Sequence, residues 1–283
     1  MVKLYRVLVV LSFSVSLSAC SSLEVADMIL HSPTGQENPP NQATTSESPA
    51  ASESPAASES PTASDSPIIS GAAVLTQVQN LTPSAKTYPA SAEVSGPQDF
   101  SAVQVGDWAV YKVLKDGQIS SVIKLAVVGK TDDAWIYEFD SYTQDHSSAM
   151  QMAVKNLNQA LGSAQGESEK ILWMKIKDEH GKITKLEGSM LGMMGNMSKA
   201  ALTGGSPDVS SVEKGGSITV PAGTFLGTWK VSSHVSNGQT SEAGMAWIST
   251  RVPLWHVVKS VSDNGSTSME LVDFGTTGFV SAF

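Results

Sequence analysis

The chain has 283 residues, with 18 Lys and Arg against 27 Asp and Glu, a formal net charge of −9, and a single cysteine. An intrachain disulfide is excluded because it needs a second cysteine. The acidic balance argues against binding to nucleic acid or to anionic lipid headgroups, since both require a basic patch.

Residues 1–19 have the pattern of an export signal. Lys3 and Arg6 form a short positive region, and an uncharged, mostly apolar stretch follows from Val7 to Ala19. That stretch is shorter than the roughly 20 residues that a membrane-spanning helix needs. We therefore predict a secretory signal peptide over residues 1–19.

The signal ends in "LSAC" (17–20), a quartet that resembles the lipobox of bacterial lipoproteins. The resemblance implies that the Cys20 thiol is alkylated with diacylglycerol, that the chain is cut before Cys20, and that the new amino terminus is acylated, for example with palmitate. More than one acyl chain makes membrane anchoring stable. Ser21 follows, which in Gram-negative lipoproteins implies the outer membrane. In the alternative interpretation, Cys20 is a passenger in an ordinary signal peptide.

Residues 46–67 repeat a six-residue unit, Ser-Glu-Ser-Pro-Ala-Ala, with little variation. The repeat contains no large apolar side chain, so it can bury nothing to offset the entropy cost of ordering. We predict a disordered tether, rich in Ser, Glu, Pro and Ala, over residues 20–97. It would hold a single domain, residues 98–283, clear of the membrane.

The domain has the pattern of an antiparallel β structure. In "DWAVYKVLK" (107–115) apolar residues alternate along the chain, and Asp116-Gly117 is a two-residue hairpin signal. Val220-Pro221-Ala222-Gly223 favours a type I turn. Further strands are predicted at 118–128, 134–142, 171–177, 183–188, 217–220, 224–235, 244–250, 255–262 and 268–275.

Two segments have apolar residues near helical spacing. In residues 147–164 these are Met150, Val154, Leu157 and Leu161, although Met150, Met152 and Val154 also alternate, so a strand at the start stays open. Residues 188–202 carry a methionine stripe at i, i+3, i+4 and i+7, although three glycines weaken a helix there. The stripe consists of Met190, Met193, Met194 and Met197.

Four stretches, "VGDWAVYKV" (105–113), "VPAGTFLGTWKVS" (220–232), "WISTRVPLWHVVKSV" (247–261) and "ELVDFG" (270–275), resemble bacterial envelope proteins of uncharacterised function. Such domains are similar to the lipoprotein-carrier (LolA-like) architecture. The resemblance implies a mainly β (α+β) fold: a curved antiparallel sheet or half-barrel with one or two helices over its concave, apolar face. Trp255-His256 stands where that pattern is often Gly-rich.

No motif in the chain indicates catalysis. The histidines show no zinc-ligand spacing, and neither a nucleophile elbow nor a phosphate-binding glycine loop is present. We therefore predict a protein that is not an enzyme and that uses no metal or cofactor. The methionine stripe leaves three interpretations open: Cu(I) ligation by soft sulfurs, ordinary packing on the sheet, or a flexible lid over an apolar cavity.

Together these features predict a lipid-anchored cell-envelope lipoprotein whose domain binds an apolar ligand, a lipid or an acyl chain. The candidate ligand-binding residues are Met190, Leu191, Met193, Met194 and Met197 on the lid, and Trp108, Trp173 and Trp229 as cavity aromatics. The alternative is a structural or interaction module, with no ligand cavity, that docks another envelope protein.

Overall fold

One helix and twelve β-strands make up the part of the chain that the computed structural model describes, residues 70–90, 103–155, 170–188, 191, 208–236 and 241–283. All of these residues belong to one compact unit, which takes in residues 68–283. The elements are α1 (Gly71–Gln79), β1 (Thr87–Tyr88), β2 (Trp108–Lys115), β3 (Gln118–Lys130), β4 (Trp135–Tyr142), β5 (Ser147–Lys155), β6 (Lys170–Lys177), β7 (Ile183–Glu187), β8 (Asp208–Val220), β9 (Gly223–Ser236), β10 (Ser241–Ile248), β11 (Val257–Ser262) and β12 (Thr267–Gly275).

The strands form one open, curved sheet in the order β1-β9-β10-β11-β12-β2-β3-β4-β5-β6-β7, and β8 pairs with the free side of β9. Every pairing is antiparallel except that of β1 with β9. Asp116 and Gly117 join β2 to β3 with φ values of 51° and 79°, which is the backbone that a tight hairpin turn requires. The prediction of a mainly β fold is confirmed.

The sheet buries one face in the main hydrophobic core. Along β2, Ala109, Tyr111 and Val113 belong to this core, together with Leu125 of β3 and Met152 of β5. We call this side of the sheet the core face. The residues between them, such as Val110, point to the opposite side, because side chains alternate along a strand.

The opposite side, which we call the helix face, is covered in part by α1. Val74, Leu75 and Val78 of α1 are buried against Val122 of β3. Ser70 caps the helix, with its Oγ accepting from the backbone N–H of Ala73 at 3.3 Å. The predicted helices were expected over the concave, apolar face. α1 instead packs on the helix face, so it does not confirm that prediction.

The predicted tether extends too far towards the domain. Residues 70–90, which we assigned to it, contain α1 and β1, and β1 pairs with β9 through Tyr88 and Phe225. The two rings stack with centroids 4.4 Å apart. Gly71 starts α1 beside the β4–β5 turn, where a Cβ would lie 2.0 Å from the carbonyl oxygen of Thr143.

Of the two structures left open for the start of 147–164, the strand is confirmed and the helix is wrong. Residues 147–155 form β5, in which Met150 lies opposite Phe139 and Met152 opposite Tyr137 on the core face. The alternating spacing decided the structure here because β5 is an inner strand, flanked by β4 and β6. Residues 156–164 lie outside the described residues.

Glycine helps to explain why the start of β8 differs from the prediction. β8 begins at Asp208 rather than 217, and its pairing with β9 shifts register three times, on both sides of Gly216 among other places. Gly216 has a φ of 69°. An interrupted register of this kind hides the two-residue alternation from a reading of the sequence.

None of the described helical residues forms a segment long and apolar enough to span a bilayer.

Candidate functional site

The structure describes one of the five residues of the predicted lid. Leu191 is helical and 7% exposed, and it packs into the main core. Gly188 is also helical. The four methionines of the stripe, Met190, Met193, Met194 and Met197, lie outside the described residues.

The three predicted cavity tryptophans do not share a face of the sheet. Trp229 packs against the main core on the core face. Trp108 lies on the helix face, and its Nε1 donates to the carbonyl oxygen of Thr277 at 2.7 Å. Trp173 alternates with the buried Met174, so it also lies on the helix face, where the Lys175 ammonium is 5.4 Å from its ring. Only Trp229 is therefore placed to line a cavity on the core face.

A strained connection between β10 and β11 enters the core. Trp255 is buried and its ring stacks on Tyr111 with centroids 5.5 Å apart. The residues on either side, Leu254 and His256, have φ values of 64° and 57°. Non-glycine residues rarely adopt this left-handed backbone, and it persists only where the surroundings hold it.

His256 is a buried, neutral imidazole. Its Nδ1 donates to the carbonyl oxygen of Val252 at 2.5 Å. Burial lowers the pKa of His256 to about 4, with the Val252 hydrogen bond opposing that shift. A neutral imidazole that donates to a backbone carbonyl stabilises this loop. No cluster of three or more His, Cys, Asp or Glu in the described residues could hold a metal ion.

The helix face carries a buried pair of carboxyl groups, Glu138 and Asp140, which we call the carboxyl pair. The two side chains are 0% and 1% exposed. Both are on β4, two residues apart, so the pleat of the strand directs them to the same side. The strand register places Gln151 of β5 beside Glu138 and Lys124 of β3 beside Asp140.

Residues 281–283, which we call the closing segment, cover Glu138. Ser281 Oγ donates to Glu138 Oε2 at 2.6 Å, and the backbone N–H of Ala282 donates to Glu138 Oε1 at 2.7 Å. Gln151 Nε2 donates to Glu138 Oε2 at 2.7 Å. The Lys177 ammonium donates to the carbonyl oxygen of Ala282 at 2.7 Å. Side chains from β4 and β6 therefore bind the N–H and the C=O of Ala282, and Gln151 of β5 donates to Ser281 Oγ at 3.2 Å.

Asp140 is less well satisfied than its neighbour. Its Oδ1 is buried and has no hydrogen-bond partner among the described residues. Burial raises the pKa of Asp140 to about 7; the charge of Glu138 adds to the rise, while the charge of Lys124 and a hydrogen bond from Tyr142 oppose it. The Lys124 ammonium also lies 5.0 Å from the Tyr142 ring centroid. The pair is therefore arranged to hold a proton near neutral pH.

A second charged group on the helix face is fully paired. Glu270 of β12 accepts from the Lys259 ammonium at 2.8 Å and faces the Lys112 ammonium at 2.9 Å. Burial raises the pKa of Glu270, but hydrogen bonds and charges from the two lysines outweigh it and hold the pKa below the ordinary value. This ion-paired triad links β11, β12 and β2 and leaves no open coordination site.

Sequence reasoning missed the carboxyl pair. In "WIYEFDSY" (135–142), Glu138 and Asp140 alternate with apolar residues, which is the ordinary pattern of a strand with one solvated face. The feature that makes them unusual is the closing segment, which lies 143 residues further along the chain from Glu138 at Ser281. No local signal reveals that contact.

No protein-family model matches the chain, and no curated protein matches it. Among solved structures, it is similar to a protein from Bacteroides fragilis described as exported with a YmcC-like fold, at 10% identity and a TM-score of 0.27, covering 62% of this chain and 98% of that one. It is also similar to a protein from Parabacteroides distasonis described as a lipoprotein, at 13% identity and a TM-score of 0.28, covering 65% and 100%.

A hypothetical protein from Chlamydia trachomatis is similar at 11% identity and a TM-score of 0.32, covering 64% of this chain and 94% of that one. The scores of all three are too low to support an assignment. The function is therefore argued from the residues of this chain alone.

Proposed function

We propose that the chain is a lipoprotein of the cell envelope, anchored through Cys20, whose domain binds an apolar ligand between the core face and the methionine-bearing segment 188–202. The ligand class is a lipid or an acyl chain. The domain does no chemistry on it and uses no metal or cofactor. In a Gram-negative cell, the anchor would lie in the outer membrane.

One observation carries the ligand proposal: Leu191 packs into the main core at 7% exposure. It stands between Met190 and Met193 in sequence, and in this proposal the methionine-bearing segment covers the core face at this point. Methionine side chains are unbranched and adapt to irregular apolar partners. A segment of this kind can separate from the sheet by a small distance and admit a hydrocarbon chain.

The alternative proposal is an interaction module that docks another envelope protein. In that case the methionines pack directly on the core face and leave no space. Both proposals place the segment on the same side of the sheet. They differ in whether an apolar molecule lies between the two.

Native mass spectrometry of residues 68–283, purified without detergent or organic solvent, separates the two proposals. We expect the protein to carry an added mass that solvent extraction removes. The variant Trp229→Ala should lose much of this mass because Trp229 is on the core face, whereas Trp173→Ala should retain it because Trp173 is on the helix face.

A bare protein mass before extraction would overturn the ligand proposal and favour the interaction module. Equal loss of the added mass in both tryptophan variants would place the ligand elsewhere than on the core face. Near-ultraviolet circular dichroism of each variant shows that the domain has kept its packing.

A further inference from the structure

We propose that the carboxyl pair is a proton-binding site and that its proton controls whether the closing segment stays docked on the helix face. The site holds one proton, on Asp140 beside Glu138, and binds the hydroxyl group of Ser281 and the backbone N–H of Ala282. This site lies on the opposite side of the sheet from the proposed ligand and does not depend on it.

The geometry of Glu138 couples it to the closing segment. Its two oxygens accept from Ser281 Oγ, from the N–H of Ala282 and from Gln151 Nε2, at 2.6 to 2.7 Å. Donors of this kind bind best to an acceptor that carries negative charge. The docked segment therefore favours the state in which Glu138 is the acceptor and any proton of the pair is on Asp140.

Asp140 supplies the second, independent observation. It is 1% exposed, lies within hydrogen-bonding reach of Glu138, and keeps one oxygen without a partner among the described residues. A buried carboxyl in this position is tolerated when it is protonated, because an unpaired buried charge is costly. The negative charge of the neighbouring Glu138 adds to this effect, because it raises the pKa of Asp140.

The loss of that proton gives a reason for the segment to open. With Asp140 ionised, the pair carries two negative charges in a site that the closing segment shields from water. Undocking of residues 281–283 lets water solvate the second charge. The ordinary pKa of an aspartate is 3.8 and burial raises that of Asp140 to about 7, so docking is strongest at low pH and weakens as the pH rises between these values.

The other side chains around the carboxyl pair carry positive charge or none. Lys124 of β3 and Lys177 of β6 are cations, and Tyr142 on β4 itself is a hydrogen-bond donor to Asp140. Gln151 of β5 is uncharged. Helix α1, which covers the neighbouring part of this face, has the sequence GAAVLTQVQ and contributes no titratable side chain. The two lysines reduce the pH dependence of docking without removing it, since the Lys177 ammonium already donates to the carbonyl oxygen of Ala282.

Hydrogen–deuterium exchange of the full mature chain tests the proposal. Millisecond labelling between pH 5 and pH 8.5 reports protection of the peptide 276–283, normalised at each pH to the free peptide TTGFVSAF, whose exchange is purely chemical. We expect protection to fall about tenfold or more across this range and to level off near the pKa of Asp140, so that the midpoint of the fall lies below that pKa. Asp140→Asn should keep the segment protected at both ends of the range, because the amide cannot ionise.

Two further variants keep the result decisive. Asp132→Asn changes an exposed carboxyl in the β3–β4 turn and should leave the wild-type profile unchanged. Lys124→Met removes a cation that lowers the pKa of Asp140, so the midpoint should move to higher pH. The proposal is overturned if wild-type protection is flat with pH, or if Asp140→Asn folds and retains the wild-type profile. Should Asp140→Asn fail to fold, an unmoved midpoint in Lys124→Met overturns it.

Discussion

The replacement His256→Asn removes the only titrating group of the strained β10–β11 connection with little change of shape. Asparagine accepts a left-handed backbone more readily than most residues, and the φ of His256 is 57°. Its side-chain amide can donate to the carbonyl oxygen of Val252 as the imidazole Nδ1 now does. The variant therefore isolates the effect of a buried imidazole on the pH dependence of stability.

The size of that effect follows from the two pKa values. An unfolded histidine titrates near 6.5, and burial lowers the pKa of His256 in the folded protein to about 4. The unfolded state therefore binds the proton first, so His256 costs no stability above pH 6.5 and costs progressively more as the pH falls towards 4. A pKa difference of about 2.5 units corresponds to a loss of about 3 kcal/mol in the free energy of unfolding.

Urea unfolding of residues 68–283 at pH 7.5, 5.5 and 4 measures the free energy of unfolding of both proteins. The informative quantity is the free energy of unfolding of wild type minus that of His256→Asn at each pH. Asp140 changes stability in the opposite direction over the same pH range, but it is present in both proteins and its contribution cancels in the difference. We expect the difference to move against the wild type by about 3 kcal/mol between pH 7.5 and pH 4.

The exposed His180 provides the matched control, since it lies in the β6–β7 turn at 80% side-chain exposure. His180→Asn should leave the pH dependence of wild type unchanged. A constant difference between wild type and His256→Asn across the three pH values would refute the reasoning, because the imidazole would then titrate in the folded protein as it does in the unfolded one.

Two other substitutions test the packing of the helix face. Gly71→Ala should lower the free energy of unfolding in urea by about 2 kcal/mol, because its Cβ would lie 2.0 Å from the Thr143 carbonyl oxygen. Gln77 is exposed on the same helix, so Gln77→Ala should not destabilise the domain. Equal effects of the two substitutions would contradict the clash. Glu270→Gln should cost about 1–2 kcal/mol at pH 7 and progressively less below pH 4.5, since its folded pKa is lowered. The more exposed Glu213, replaced in the same way, serves as its control.

Alternation of apolar residues predicts most of this sheet, because a strand with one buried face repeats its pattern every two residues. β2, β3 and β4, for example, each fall within a residue or two of their predicted positions. The pattern fails for α1, whose three buried residues follow a long Ser- and Pro-rich stretch and resemble a short apolar interruption of it. Such a helix is stable only because it packs on Val122 and its neighbours.

The sites were less predictable than the sheet, for a related reason. Trp108, Trp173 and Trp229 are alike in sequence, and only the strand register shows that the first two lie on the helix face. The carboxyl pair depends on residues 281–283, and the strained loop depends on backbone angles at Leu254 and His256. Contacts between distant parts of a chain and unusual dihedral angles have no periodic trace in the residues themselves.

The glycine-interrupted register of β8 also bears on how copies of this protein meet. β8 pairs only with β9 among the described strands, so its outer side is an edge of the sheet. A regular edge offers an even row of N–H and C=O groups on which a strand from another molecule can assemble. The three register shifts break that row, and the exposed charges of Glu213 and Lys214 flank it. Its irregular backbone therefore protects this edge from the addition of strands from other copies of the protein.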